Sequence, residues 1–138
     1  MVEIKAGLNM IAYTMVGTQD LNQARAFYDS VFENMGLEVC WEDEACVSYG
    51  KKDDLIFPRF FVGYPFDGRP ANVGNGVMTA FQFQDTRQVD RLYELAMQHG
   101  GSSEGEPGYR PQYAEGFYAA YVRDPDGNKL AFVVYPKE

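Results

Sequence analysis

Histidine, cysteine and positive charge are all scarce in this 138-residue chain, and each shortage removes a class of function. The one histidine, His99, would have to serve any Ser/His/Asp or Cys/His arrangement and any imidazole-based metal site. It falls at the end of a helical pattern just before Gly100, where it suits the helix terminus better than a cleft. The two cysteines, Cys40 and Cys46, are too few for a disulfide framework and read as reduced strand residues. Lys and Arg number 12 against 20 Asp and Glu, giving a formal charge of −8 with no basic stripe to neutralise phosphates, so nucleic acid is not an expected partner. No apolar run approaches the roughly 18 residues of a membrane span, and MVEIKAGLNM lacks the pattern of a secretion signal. The expectation is a cytoplasmic protein that does not enter membranes.

What the chain does have is an ordinary globular balance, 46% hydrophobic and 23% charged, in a length that suits one domain over residues 1–138. Its 10 Tyr and 10 Phe exceed what a small core requires, so some are expected to line a pocket or an interface. The chain also repeats itself. A shift of 65 positions takes Asp20 to Asp85, Tyr28 to Tyr93 and Gly36 to Gly101.

The two copies share one physical pattern. Each opens with an apolar strand, predicted at residues 8–16 and 77–83. Each continues with an aspartate that can cap a helix, Asp20 or Asp85, followed three residues on by Gln23 or Gln88 at capping-box spacing. Apolar residues then recur at helical spacing (Leu21, Ala24, Phe27, Tyr28, Val31 and Phe32; Val89, Leu92, Tyr93 and Ala96), and glycine stops each helix at Gly36 and Gly100-Gly101. Extended pieces are predicted at 37–41, 45–49 and 55–63 in the first copy, and at 102–106, 117–123 and 129–135 in the second. The last two flank Asp124-Pro125-Asp126-Gly127-Asn128, a tight-turn sequence. The fold class is therefore α+β: two tandem βαβββ modules, about 8–63 and 76–135, joined by a linker at 64–75 and forming a curled mixed sheet around a cleft. Alternate strand residues would line that cleft.

In this order of motifs the chain resembles the vicinal oxygen chelate superfamily of glyoxalases, extradiol dioxygenases and bleomycin-resistance proteins. The resemblance rests on Asp20-Leu21 with Ala26-Phe27-Tyr28, on 71–76 (ANVGNG) and on 118–128 (YAAYVRDPDGN). It implies a cleft in which family enzymes hold a divalent metal with His, Glu or Gln from the first and last strands of each module. This chain departs from that pattern. At the positions the resemblance assigns to ligands stand Tyr13, Met78 and Ala131, and the fourth lies near Phe60 to Val62, so neither a metal nor another cofactor is expected.

The expected site is instead a ligand pocket. Tyr13, Met78 and Tyr121 should line one contiguous space, with Phe61 facing it and with Arg110 and Tyr113 on a bordering loop at 107–116. No catalytic residue is assigned, although Glu104, Glu106 and Glu115 lie near that loop. The leading reading is a metal-free protein that binds or sequesters an aromatic or cationic small molecule, as the resemblance to bleomycin-resistance proteins implies. Two alternatives stay open: a metal-dependent lyase or dioxygenase with an atypical site, and a non-catalytic interaction domain. A homodimer is expected, because two such modules leave sheet edges and apolar surface to cover.

Overall fold

The computed structural model describes residues 2–137. Both modules form as the repeat requires. The first comprises β1 (Tyr13–Gly17), α1 (Leu21–Asn34), β2 (Glu38–Glu42), β3 (Cys46–Gly50) and β4 (Arg59–Gly63). The second comprises β5 (Met78–Phe83), α2 (Thr86–Gln98), β6 (Ser102–Tyr109), β7 (Tyr118–Arg123) and β8 (Lys129–Val134). The strands make two four-stranded sheets of identical order, β1-β4-β3-β2 and β5-β8-β7-β6, each with its first and last strands parallel.

The helices begin where the sequence places their caps. The Asp20 side chain accepts from the Gln23 N–H at 3.1 Å, and Asp85 starts α2 within a full capping box, the Gln88 side chain reaching back to the Asp85 N–H at 3.2 Å. Gly36 has φ +76° and Gly100 φ +97°, left-handed conformations that close the two helices without a Cβ penalty. Gly101 has a different reason to be glycine. A Cβ there would lie 2.7 Å from the Ala96 carbonyl oxygen and 2.9 Å from the Phe27 ring, where the modules meet.

One buried cluster runs under both modules: Phe27, Tyr28, Val31 and Phe32 of α1 pack with Phe60 of β4, and the cluster continues to Val89 and Leu92 of α2 and Phe132 of β8. Phe81 of β5 bridges the halves, 5.6 Å from the Phe32 ring and 5.7 Å from that of Phe60. The turn at 124–128 adds a polar tie. Buried Asp124 accepts from the Tyr28 hydroxyl at 2.7 Å, while the Asn128 amide donates to the Gly17 carbonyl at 2.9 Å. With the main core on the helix side, the other face of the first sheet stays open, whereas that of the second carries a smaller buried cluster of Phe117, Ala119, Ala131 and Val133.

Three expectations need correction. Residues 8–12 do not extend β1, which starts at Tyr13, and residues 55–58 do not extend β4, which starts at Arg59. The weak strand expected at 102–106 is β6, running to Tyr109, so Pro107 and Gly108 belong to a strand and the bordering loop starts at Arg110.

Candidate functional site

The faces turned away from the helices follow from the two-residue alternation of strands. In β1, Val16 packs on the core, which leaves Tyr13 and Met15 on the open side. In β5 the same parity exposes Met78 while Phe81 and Phe83 go to the core. Register then fixes the neighbours of these residues. Tyr13 lies opposite Arg59 and Met15 opposite Phe61, whereas Met78 lies opposite Lys129 and Ala80 opposite Ala131.

That register carries one residue of β4 onto the position that the resemblance assigns in β8. Because β4 and β8 start at Arg59 and Lys129, the offset between last strands is 129 − 59 = 70, and it carries Phe61 onto Ala131. The four positions are Tyr13, Phe61, Met78 and Ala131. Together they offer one phenol, one thioether and no carboxylate or imidazole, which does not fit the N and O donor set of a catalytic divalent metal. Among the described residues, no group of three or more His, Cys, Asp or Glu is arranged to hold a metal elsewhere. His99 caps α2, its Nδ1 lying 2.8 Å from the Leu95 carbonyl oxygen.

The expected site residues fall into two groups, one on each sheet. On the first, Tyr13 meets Phe61 edge-on, with ring centroids 5.3 Å apart. On the second, Tyr121 lies opposite Ala131, and two cations approach its ring: the Arg110 guanidinium at 5.6 Å and the Lys129 ammonium at 5.7 Å from the centroid. Burial pushes the Tyr121 phenol above its ordinary value, so the ring stays neutral over the physiological range. Arg110 also donates to the Glu106 carbonyl at 2.6 Å. Tyr113 packs edge-on against Phe117, 6.2 Å away, and Phe117, Ala119, Ala131 and Val133 form a small buried floor beneath Tyr121. Met78 stands beside this group through its pairing with Lys129.

Of the carboxylates near the loop, Glu104 alone has an ion-pair partner among the described residues. Glu104 pairs with Arg123, which holds its carboxyl below the usual range and makes it an unsuitable acid near neutrality. Both cysteines are free.

A cavity of about 380 Å³ on the open face of the first sheet is lined by Cys40, Trp41, Ser48, Lys52, Leu55, Arg59 and Phe61. Of these, only Phe61 was expected from the sequence. Trp41 escaped because simple alternation puts it on the same face as Val39, which packs on the core. A register shift between Val39 and Trp41 breaks that alternation, and Trp41 then pairs with Ser48, itself opposite Phe61. Arg59 and Lys129 escaped because charged residues at strand starts usually read as solvated ends, although the second offset of 70 would have exposed them as equivalents.

The profile of the Glyoxalase/Bleomycin resistance protein/Dioxygenase superfamily matches residues 10–132. The chain belongs to this superfamily. Among solved structures, a glyoxalase/bleomycin resistance protein from Albidiferax ferrireducens T118 superposes with a TM-score of 0.81 at 31% identity, covering 93% of this chain and 100% of the other. A glyoxalase-related enzyme from Fulvimarina pelagi follows with a TM-score of 0.73 at 20% identity over 94% and 90% of the two chains. A lactoylglutathione lyase from Agrobacterium tumefaciens gives 0.66 at 22% identity over 94% and 96%. No curated protein matches this chain. These likenesses establish a glyoxalase-type fold, and the side chains in the cleft must decide what this member does with it.

Proposed function

We propose that this member of the superfamily binds a small organic molecule on the open sheet faces without a metal. The observation that carries the reading is the side-chain set at the four ligand-equivalent positions, Tyr13, Phe61, Met78 and Ala131, which suits apolar and aromatic contact rather than coordination. Lewis-acid chemistry on two neighbouring substrate oxygens needs donors that these residues do not supply. Around them, Tyr121, Arg110 and Tyr113 on the second sheet and Phe61 with Trp41 on the first provide flat apolar surface with a few polar tips. Burying a ring against such surface gains about 25 cal/mol per Å² of apolar area before the costs of association.

The same surface supports a homodimer. Tyr13 is 66%, Trp41 58%, Met15 50% and Met78 47% exposed, an amount of open apolar face that a second copy would cover while giving each cleft its opposite wall. The decisive test is elemental analysis of protein purified without chelators, followed by thermal-shift screening of aromatic compounds. The expected result is no stoichiometric Zn, Mn, Fe or Ni and at least one stabilising aromatic compound. One equivalent of metal per chain, lost on changing Met78 or Tyr13, would establish the atypical metal enzyme instead.

A further inference from the structure

The cavity on the first sheet has both apolar and cationic lining. Trp41, Phe61 and Leu55 supply the walls, and Lys52 and Arg59 bring two positive charges to the same space. Among the described residues neither cation forms an ion pair, in a protein whose formal charge is −8 and whose other arginines at 25, 69, 87, 91 and 123 all have carboxylate partners, as Arg110 alone of the rest does not.

Arg59 is also held in place. Its Nη1 donates to the Phe57 carbonyl at 2.7 Å and its Nη2 to the Lys51 carbonyl at 2.9 Å. The side chain crosses Gly50, where a Cβ would sit 2.7 Å from the Arg59 Cδ and 2.8 Å from its Nη1, so any larger residue at 50 would displace it. Both anchors of this half-buried guanidinium are neutral carbonyls, and among the described residues no carboxylate pairs with it. An arginine with a surface role only would need neither the glycine nor the two anchors.

We infer that this cavity takes the acidic group of a small aromatic carboxylate, with Arg59 and Lys52 facing the anion and with Trp41 and Phe61 against the ring. The inference rests on the binding function proposed above and adds the chemical class of the ligand. It runs opposite to the cationic ligand that a net charge of −8 would by itself attract, because long-range charge governs encounter whereas the groups lining the cavity govern what stays. The register shift that swings Trp41 onto this face fits the same purpose, since it costs the sheet a regular pair and gains a large ring beside the two cations.

Trp41 is the sole tryptophan, so its fluorescence reports on this cavity alone. The probes are three compounds of nearly equal shape: naphthoate, naphthamide and naphthylmethylammonium, titrated calorimetrically and by Trp41 emission. Naphthoate should bind about tenfold more tightly than the amide and more tightly still than the amine, and its affinity should fall with added salt. Lys52→Met and Arg59→Met should each reduce the acid-to-amide preference by about threefold, acid affinity falling by more than amide affinity in both variants. Lys52 is exposed, so its variant guards against a folding defect in the Arg59 variant. Equal binding of acid, amide and amine with a Trp41 response overturns the inference and leaves an uncharged binding site standing. No Trp41 response and no heat with any of the three overturns the inference and the binding function of this face together.

Discussion

At the scale of single residues, Asp124 carries more structure than its place in a turn suggests. Its carboxylate accepts from the Tyr28 hydroxyl at 2.7 Å, the Asn128 amide at 2.8 Å and the backbone N–H groups of Asp126 and Asn128 at 2.9 Å each. Burial pushes its carboxyl above the ordinary value, and the hydrogen bonds from Asn128 and Tyr28 pull it back. Burial, with Asp124 beside it, drives the Tyr28 phenol well above its usual range, so Tyr28 remains a donor. Asp124→Ala would leave these donors without a partner at the joint between modules and should cost about 3 kcal/mol in chemical denaturation. Tyr28→Phe removes a single bond and should cost only about 1 kcal/mol. Matching losses in the two variants would mean that the turn is held by its own backbone and not by this carboxylate.

At the scale of elements, the two helix starts look alike but differ in charge chemistry. Asp85 bonds the side chain and backbone N–H of Arg87, which lowers its carboxyl from 3.8 to about 2. A carboxylate depressed in the folded state contributes stability that is present above its unfolded value and is lost as pH falls through the folded one. The Asp85 contribution should therefore hold above pH 3.8 and disappear as pH drops through about 2. Asp85→Asn keeps an N-cap oxygen but removes the charge. Its acid unfolding curve should lie below that of the wild type above pH 3.8 and converge with it near pH 2, and parallel curves throughout would assign the acid sensitivity elsewhere. Caps, helical spacing and glycine stops made both helices legible from sequence, since all three are local. The strands were legible where a partner exists. Residues 8–12 have strand-like composition, but pairing with β4 starts at Tyr13 opposite Arg59, and the Arg59 N–H reaches no further back than the Ala12 carbonyl. β6 was hard to read for the opposite reason. Gly105, Pro107 and Gly108 argue against a strand, yet β6 is an edge where proline is tolerated, and its glycines lie under the Arg110 guanidinium, a Cβ at either position coming within 3.3 Å of it. Strand parity placed Tyr13, Met78 and Tyr121 on the open faces. It could not place Trp41, because a register shift is a property of two strands and not of one sequence.

At the scale of the whole molecule, the two repeats have diverged around a shared plan. Arg59 and Lys129 occupy equivalent positions beside Tyr13 and Met78, so each open face carries a cation next to the residue that replaces a family ligand. Both faces expose apolar side chains, Tyr13 and Met15 on the first and Met78 on the second, and β1 and β5 are edge strands with one side unpaired. The N-terminal segment adds to this, with Leu8 92% and Met10 79% exposed immediately before β1. A two-fold pairing that places the first sheet of one copy against the second sheet of the other would use each of these surfaces twice and close without leaving a free end. Such a dimer should be visible in sedimentation at micromolar concentration. Met15→Lys puts a charge at the middle of β1 on the first open face, where the side chain is 50% exposed and the core is untouched. Burying that charge without a partner disfavours association and leaves the isolated chain folded. The expected outcome is a monomer with unchanged far-ultraviolet circular dichroism and weakened capture of aromatic compounds, because each cleft then lacks its second wall. A wild type that sediments as a monomer, or a Met15→Lys variant that stays dimeric, would place the complete binding surface within one chain.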